Sequence, residues 1–508
     1  MSGDSAVWEH TSDSLVQQSM LLLDSAKDET KNDLKSKQHA LNLAAEAVRT
    51  RPRWSAGHVQ VARCLEAIGS KEDIKGALDH YQRALELQPS LMEDIESHIM
   101  RLRTKVSRMA CTMLRFLPDS VPIYDCAVVD CEIGQFSFCG TKNGSIYVLN
   151  ILSGELIGAI EGHTDIVTTL SLSPDRLWLA SGSLDRTLRI WDVEKSIDAL
   201  CDIGNHALNC YLALEGHDNR VCDIVFSGDG ALVVSASTDS TVKIWSMETG
   251  DCLHTLSGHS SLVSSISISD KYHMIASASG DAAFRLWDLQ DGTCIENVQW
   301  ESGPVVICDF VEITSSKQYL LTAHAQLVQQ EARILLWDVL DKETGWVDGR
   351  LSAPKFAIDD LRGRPTSISS TNTDGSCSLL AACCSDGSVH VWDVSDLPLK
   401  LISFNLDPDL EEKQVNLPPW RASSLKHASH VHNIVEFSPG RGLLAAAGTL
   451  KHTLVVWDVD EGKKVCSLHG HTRTIRKLCW VSLTHLLSCA EDGSARLWDI
   501  SQYLDDIY

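Results

Sequence analysis

The chain has 508 residues, 44% hydrophobic and 22% charged, a composition too apolar for a disordered tail. No run approaches the ~18 consecutive apolar residues of a membrane helix, and the acidic, polar start MSGDSAVWEH reads as neither a secretory signal nor an N-myristoyl site. Residues 1–118 hold 16 basic and 16 acidic side chains and the remainder 28 and 52, so the net charge of −24 falls on the C-terminal part, which would repel a phosphate backbone; direct nucleic-acid binding is not expected.

Residues 1–10 read as a flexible terminus. From 11 to 117 the apolar pattern is helical, with few strand formers. Ala77, Tyr81, Ala84 and Pro89, after Val61, Ala62, Leu65 and Gly69, resemble the second and first helices of a tetratricopeptide (TPR) repeat. His58 stands where that family carries a bulky aromatic, and the turn Ser70–Gly76 is about three residues longer than the family's usual one. An earlier copy uses Ala40, Ala44, Ala47 and Pro52, with Leu15–Ala26 as its first helix; Pro52 and Pro89 are 37 residues apart. After Pro89, Ser90 and Glu93 form a capping box. The helix they open has one apolar stripe (Ile95, Ile99, Leu102, Val106, Met109, Met113) and five basic residues elsewhere, so it is expected to cap a short solenoid. Gln60 occupies a place where a chaperone-tail clamp would need Asn, so no such clamp is expected. Residues 118–122, with a proline at each end, read as a short, stiff link.

Beyond the link the sequence repeats. Four segments share one frame: Gly162-His163 to Trp191-Asp192, Gly216-His217 to Trp245, Gly258-His259 to Trp287-Asp288, and Gly470-His471 to Trp498-Asp499. The His-to-Trp distances are 28, 28, 28 and 27 residues. Within each frame, alternating apolar runs separated by turn signals read as short antiparallel strands. The frame resembles the WD40 repeat, which implies a β-propeller of four-stranded blades. Weaker copies end in Trp337-Asp338, Trp392-Asp393 and Trp457-Asp458, and Ser145–Asn150 opens the array with Leu149 in place of Trp and Asn143 in place of the turn Asp. The expected fold is multidomain, with all-α TPR-like hairpins over 11–117 and an all-β WD40 propeller over 123–508. Eight blades are expected; seven, the commoner family number, is the alternative.

Each regular frame repeats His, Ser, Asp and Trp: His163, Ser181, Asp185, Trp191; His217, Ser235, Asp239, Trp245; His259, Ser277, Asp281, Trp287; His471, Ser488, Asp492, Trp498. Ser-His-Asp constellations suggest hydrolysis, but an active site is seldom built four times in one chain. The WD40 resemblance implies that these residues are structural, a buried chain in which Asp holds His, His meets Ser, and Ser reaches the indole. No catalytic residue is assigned.

The other frames depart from the pattern. Ser302-Gly303-Pro304 and the stretch from His324 to Glu331 replace Gly-His and the turn Asp before Trp337. Ala382 takes the Ser position before Trp392, with Gly363-Arg364 for Gly-His, and Lys451 takes the Asp position before Trp457. This irregular arc, roughly 300–455, is expected to set partner choice while the regular arc supplies rigidity. The WD40 frame places Ile166, Arg220, Leu262 and Thr474, together with Leu184, Arg186, Thr238 and Glu491, near one rim as partner-binding candidates. The insertion Asp407–Glu412 with Trp420 adds an aromatic anchor beside acid groups.

Lys426–His432 carries three histidines, one of which reads as a stand-in for Gly-His rather than a metal ligand. No phosphate loop, zinc spacing or Cys-x-x-Cys pair occurs; the 17 scattered cysteines suit a reducing compartment, and no metal or cofactor is expected. The function expected is a non-catalytic scaffold for protein or peptide partners, cytoplasmic with the nucleus as the other compartment. The alternative is a substrate receptor of a cullin-type ubiquitin ligase. Such WD40 proteins often carry Arg two residues after Trp-Asp, and Glu194, Gln290, Leu340, Ser395, Asp460 and Ser501 stand there instead.

Overall fold

A computed structural model describes residues 14–23, 34–91 except 53 and 69–70, positions 95, 98 and 102, and most of 111–504. Left out within that last span are 132, 202–209, 300–302, 315–316, 326–331, 339–345, 348–349, 352, 362, 372–378, 395–399, 406–433, 440–441 and 448–451. The chain divides into two compact units that part between Ala110 and Cys111.

In the N-terminal unit, α1 spans 14–23, α2 Leu34–Thr50, α3 Ser55–Ile68 and α4 Lys71–Leu87. Small residues at helical spacing let the helices approach closely: Ala40, Ala44 and Ala47 on α2, and Ala77 and Ala84 on α4, are fully buried, with the large Tyr81 buried between the last two. Leu23, Ala40, Ala44, Val61 and Cys64 form one core cluster, and Ala62, Ala77, Tyr81, Ile95 and Leu102 another. Ile95 and Leu102, two turns apart, keep the expected stripe facing inward, while Ile99, Val106 and Met109 lie outside the described residues. The long turn expected at Ser70–Gly76 is not there, because α4 already begins at Lys71. Gly76 sits inside the helix, where a Cβ would meet Leu65 at 3.3 Å.

The C-terminal unit is a ring of eight four-stranded antiparallel sheets, which decides between the two expected counts. Blade 1 comprises Ile123–Cys131, Gly134–Thr141, Ile146–Asn150 and Leu156–Ile160; blade 2 comprises Val167–Leu172, Trp178–Ser183, Leu188–Asp192 and Leu212–Leu214. Blade 3 follows with Val221–Phe226, Leu232–Ser237, Thr241–Ser246 and Cys252–Ser257, and blade 4 with Val263–Ser269, Met274–Ser279, Ala283–Asp288 and Cys294–Gln299. Val305–Thr314, Lys317–His324, Ala332–Trp337 and Phe356–Leu361 build blade 5; Pro365–Ser370, Leu379–Cys384, Ser388–Asp393 and Lys400–Asn405 build blade 6. Blade 7 uses Ile434–Phe437, Leu443–Ala447, Leu454–Asp458 and Lys463–Leu468. Successive first strands contact one another around the ring, and that of blade 8 returns to that of blade 1.

Blade 8 takes three strands from the C-terminus, Ile475–Trp480, His485–Ala490 and Ser494–Asp499. Its fourth is Cys111–Phe116, paired antiparallel with Ser494–Asp499. This corrects the expected helical domain of 11–117 and link of 118–122. Without residues 111–116 the last sheet lacks an outer strand. Residues 118–122 then run from that strand into blade 1, within the propeller. Leu117 N donates to Gly493 O at 2.8 Å. Gly493 is at φ +74°, and a Cβ there would lie 2.5 Å from the Ser120 carbonyl carbon, so the closure requires glycine.

The cores lie between blades. Trp191 packs with Val129, Phe138 and Val148 of blade 1, and Trp245 with Leu188, Ile190 and Leu214 of blade 2. The free edges of the first strands are capped by the neighbouring blade: Asp125 accepts from Leu170 N at 2.8 Å, Asp223 from Ile266 N at 3.0 Å, and Ser267 Oγ from Phe310 N at 3.1 Å. Acidic side chains at this inner collar therefore serve the backbone, even though burial pushes the Asp223 carboxyl up to about 6.

Candidate functional site

The four quartets assemble as continuous chains. In blade 2, Trp191 Nε1 donates to Ser181 Oγ at 2.8 Å; Ser181 meets His163 Nε2 at 2.8 Å; His163 Nδ1 meets Asp185 Oδ2 at 2.9 Å. Blade 3 repeats these contacts at 2.9, 2.8 and 2.7 Å, and blade 4 at 2.9, 2.8 and 3.0 Å. In blade 8 they are 2.8, 2.7 and 3.1 Å.

A neutral imidazole satisfies every atom. The indole N–H donates to Ser, the Ser hydroxyl donates to Nε2, and Nδ1–H donates to Asp. Burial holds His217, His259 and His471 below the usual imidazole range, with the aspartates pulling the other way. For Asp185 burial opposes ionisation, but hydrogen bonds from His163 and Thr187 outweigh it and hold the carboxyl well below the usual range; Asp239, Asp281 and Asp492 behave alike. Each serine is fully buried and its oxygen already accepts an indole proton. Such a serine has no open approach for an acyl group.

The remaining blades satisfy or omit the indole differently. In blade 5, Trp337 Nε1 donates to Thr322 Oγ1 at 2.8 Å, and Thr322 meets His324 Nε2 at 3.0 Å. The histidine comes from the same strand, two residues on, so Thr322 and His324 share a face. In sequence His324 falls at the start of the irregular stretch before Trp337, and the signal of its role is a Thr-x-His at the end of an apolar run. In blade 6 the register places Ala382 opposite His390, where regular blades have Ser. His390 stacks on Trp392 with centroids 5.8 Å apart, and Asp386 accepts from Ser388 N and Oγ instead of from a loop histidine. Ala446 occupies the Ser position in blade 7 and Cys139 in blade 1, where Leu149 has no N–H to satisfy. Lys451 and the three histidines of 427–432 lie outside the described residues.

The rim candidates come together in pairs at one end of their sheets, where the first strand starts and the second ends. Leu184 N donates to Ile166 O at 2.8 Å, Thr238 N to Arg220 O at 3.1 Å, and Glu491 N to Thr474 O at 2.9 Å. Leu262 O accepts from Gly280 N at 2.9 Å in the same arrangement. Arg186, Arg220 and Leu262 are exposed, Leu262 at 38%. Ile166, Leu184, Thr238 and Thr474 are half-buried. Glu491 is engaged by Arg476, whose guanidinium also lies 5.2 Å over Tyr124. Trp420 and residues 406–433 lie outside the described residues. Gln60 is buried and donates to Ser19 Oγ at 3.2 Å within the helical unit. Cys383 and Cys384 are buried in a strand.

The family model of the WD domain, G-beta repeat, matches residues 154–192, 208–246, 250–288, 358–393 and 462–499. The chain is 33% identical over 138 residues to WD repeat and SOCS box-containing protein 1 of Takifugu rubripes, covering 25% of this chain and 30% of that protein. It is 30% identical to U3 small nucleolar RNA-associated protein 21 of Saccharomyces cerevisiae, over 24% of this chain and 16% of that one. The chain thus spans less than a third of the length of these relatives. Among solved structures, the computationally designed Ika8 protein matches with a TM-score of 0.54 at 20% identity, over 75% of this chain and 96% of that one, a likeness of fold alone. No helix among the described residues is long and apolar enough to cross a membrane. The chain carries WD40 repeats, set in an eight-bladed β-propeller that follows a helical N-terminal unit.

Proposed function

We propose that the protein is a non-catalytic scaffold that binds protein or peptide partners on the propeller rim, with the N-terminal unit acting as a short TPR-like solenoid. One observation carries this reading. The polar quartets that could suggest chemistry are consumed in holding indoles, while among the residues flanking them Arg220 and Leu262 are presented at the same place on successive blades and Arg186 is exposed beside the turn aspartate of the blade before. Exposed arginine beside apolar surface is the composition of a protein-binding hot spot. The irregular arc of 300–455 sets partner choice. We place the protein in the cytoplasm or nucleus; the sixteen cysteines among the described residues are all free thiols.

The test is affinity purification of the full chain and of a rim variant, Arg186→Glu with Arg220→Glu and Leu262→Asp, with the same thermal stability verified for both. Loss of specific partners from the variant supports the reading; an unchanged partner set contradicts it. Deleting 405–420 is expected to change stability by under about 0.5 kcal/mol and to weaken partner recovery. The SOCS-box name of one relative supports the ubiquitin-ligase receptor as a second reading, against which the missing Arg after each Trp-Asp weighs; recovery of a cullin adaptor would favour it.

A further inference from the structure

Ring closure brings four thiols together. Cys126 and Cys139 stand on the first and second strands of blade 1, Cys479 and Cys489 on the same strands of blade 8. Cys126 Sγ is 3.7 Å from Cys479 Sγ, and Cys139 Sγ is 4.0 Å from Cys489 Sγ, although each pair is at least 350 residues apart in sequence. They lie in the core between the last and first blades, with Leu117, Tyr147, Leu149 and Leu487. This seam alone is closed by a strand from the far end of the chain, Cys111–Phe116. Among the described residues no group of three or more ligands is placed to hold a metal ion, and the sulfur contacts are pairwise.

We propose that Cys126 and Cys479 are a disulfide-forming pair that latches the ring covalently at its seam, with glutathione disulfide as the oxidant. A bond of ~2.05 Å requires the sulfurs to close by about 1.7 Å. Cys479 is the entry point: it is half-buried, whereas Cys126, Cys139 and Cys489 are buried. In the closed ring the Cys126 sulfur beside it and burial hold the Cys479 thiol up, with Lys477 pulling the other way, so the thiols are slow until the seam opens.

The Cys479 thiolate attacks one sulfur of glutathione disulfide; that S–S bond breaks and one glutathione leaves as thiolate. The Cys126 thiolate then attacks the Cys479 sulfur of the mixed disulfide, and the second glutathione leaves. The two thiol protons pass to the departing glutathiones. The protein loses two electrons and the oxidant gains them.

The test incubates the full chain with glutathione disulfide, alkylates free thiols, and maps peptides by mass spectrometry without reduction. Cys201, Cys252 and Cys294 are exposed and serve as internal controls. The expected result is a Cys126–Cys479 linked peptide, with glutathione on the controls. The oxidised protein should also unfold in denaturant about ten-fold more slowly than the reduced one, a difference absent in Cys126→Ser and Cys479→Ser. Cys479→Ala serves if a serine variant does not fold. Glutathionylated controls beside free Cys126 and Cys479 would overturn the proposal, as would a linked peptide without slower unfolding.

Discussion

Blades 2, 3, 4 and 8 differ from blades 5, 6 and 7 in how an indole is kept in a packed wall, while blade 1 carries Leu149 in its place. In the first group a chain of four side chains runs from Trp to Asp, and Asp239 alone accepts from His217, Asp218 N, and the backbone and hydroxyl of Thr241. In the second group the chain is shortened, as with Thr322 and His324, or lacks the serine hydroxyl, as at Ala382 and Ala446. Trp392 and Trp457 are nonetheless nearly as buried as Trp245, at 3%, 4% and 1% exposure. The network is therefore one solution for a blade and not a requirement of the ring. A blade without it gives up a rigid, direction-specific anchor and frees its loops to vary.

The widest gap between the two groups should appear on removing the turn aspartate. Asp239→Ala leaves four donors without their acceptor and is expected to cost about 3 kcal/mol, whereas Asp386→Ala in blade 6 loses, among the described residues, the two Ser388 contacts and should cost about 1 kcal/mol. Equal losses in urea unfolding would erase the distinction. Acidification sharpens it next. Among the described residues His324 meets no carboxylate, and burial holds it down to about 4. Its unfolded value is near 6.5, so as pH falls the unfolded chain binds the proton first. The stabilisation is complete above that value and is lost as pH drops from about 6.5 towards 4. His324 should account for about 3 kcal/mol of this loss, with His217, His259 and His471 adding in the same direction. In His324→Gln the loss over that window should shrink; an unchanged pH profile would contradict the assignment. Smaller still, Thr322→Val and Ser235→Ala should each cost about 1–2 kcal/mol, because both remove an oxygen that accepts an indole N–H.

Much of this was legible in the sequence. Gly-His and Trp-Asp at a fixed separation encode two ends of one hydrogen-bonded chain, so His217, Ser235, Asp239 and Trp245 could be named without coordinates, as could the rim positions that flank them. What stayed hidden was non-local or unconventional. Cys111–Phe116 pairs with a strand over 370 residues away, and its Met113 also continued a helical stripe, so nothing local distinguished helix from strand. His324 performs the role of a loop histidine from within a strand, outside the spacing that marks the others. The sulfur cluster could not be read from scattered cysteines, because only ring closure brings 126 and 479 together.

Each quartet couples its turn aspartate to its indole through two hydrogen-bonded side chains. A double-mutant cycle of Asp239→Ala with Trp245→Phe tests it most directly, because these residues share no bond and are linked only through His217 and Ser235. A coupling of about 1 kcal/mol is expected in blade 3, and additive effects for Asp386→Ala with Trp392→Phe in blade 6. Additivity in blade 3, or equal coupling in both blades, would contradict it.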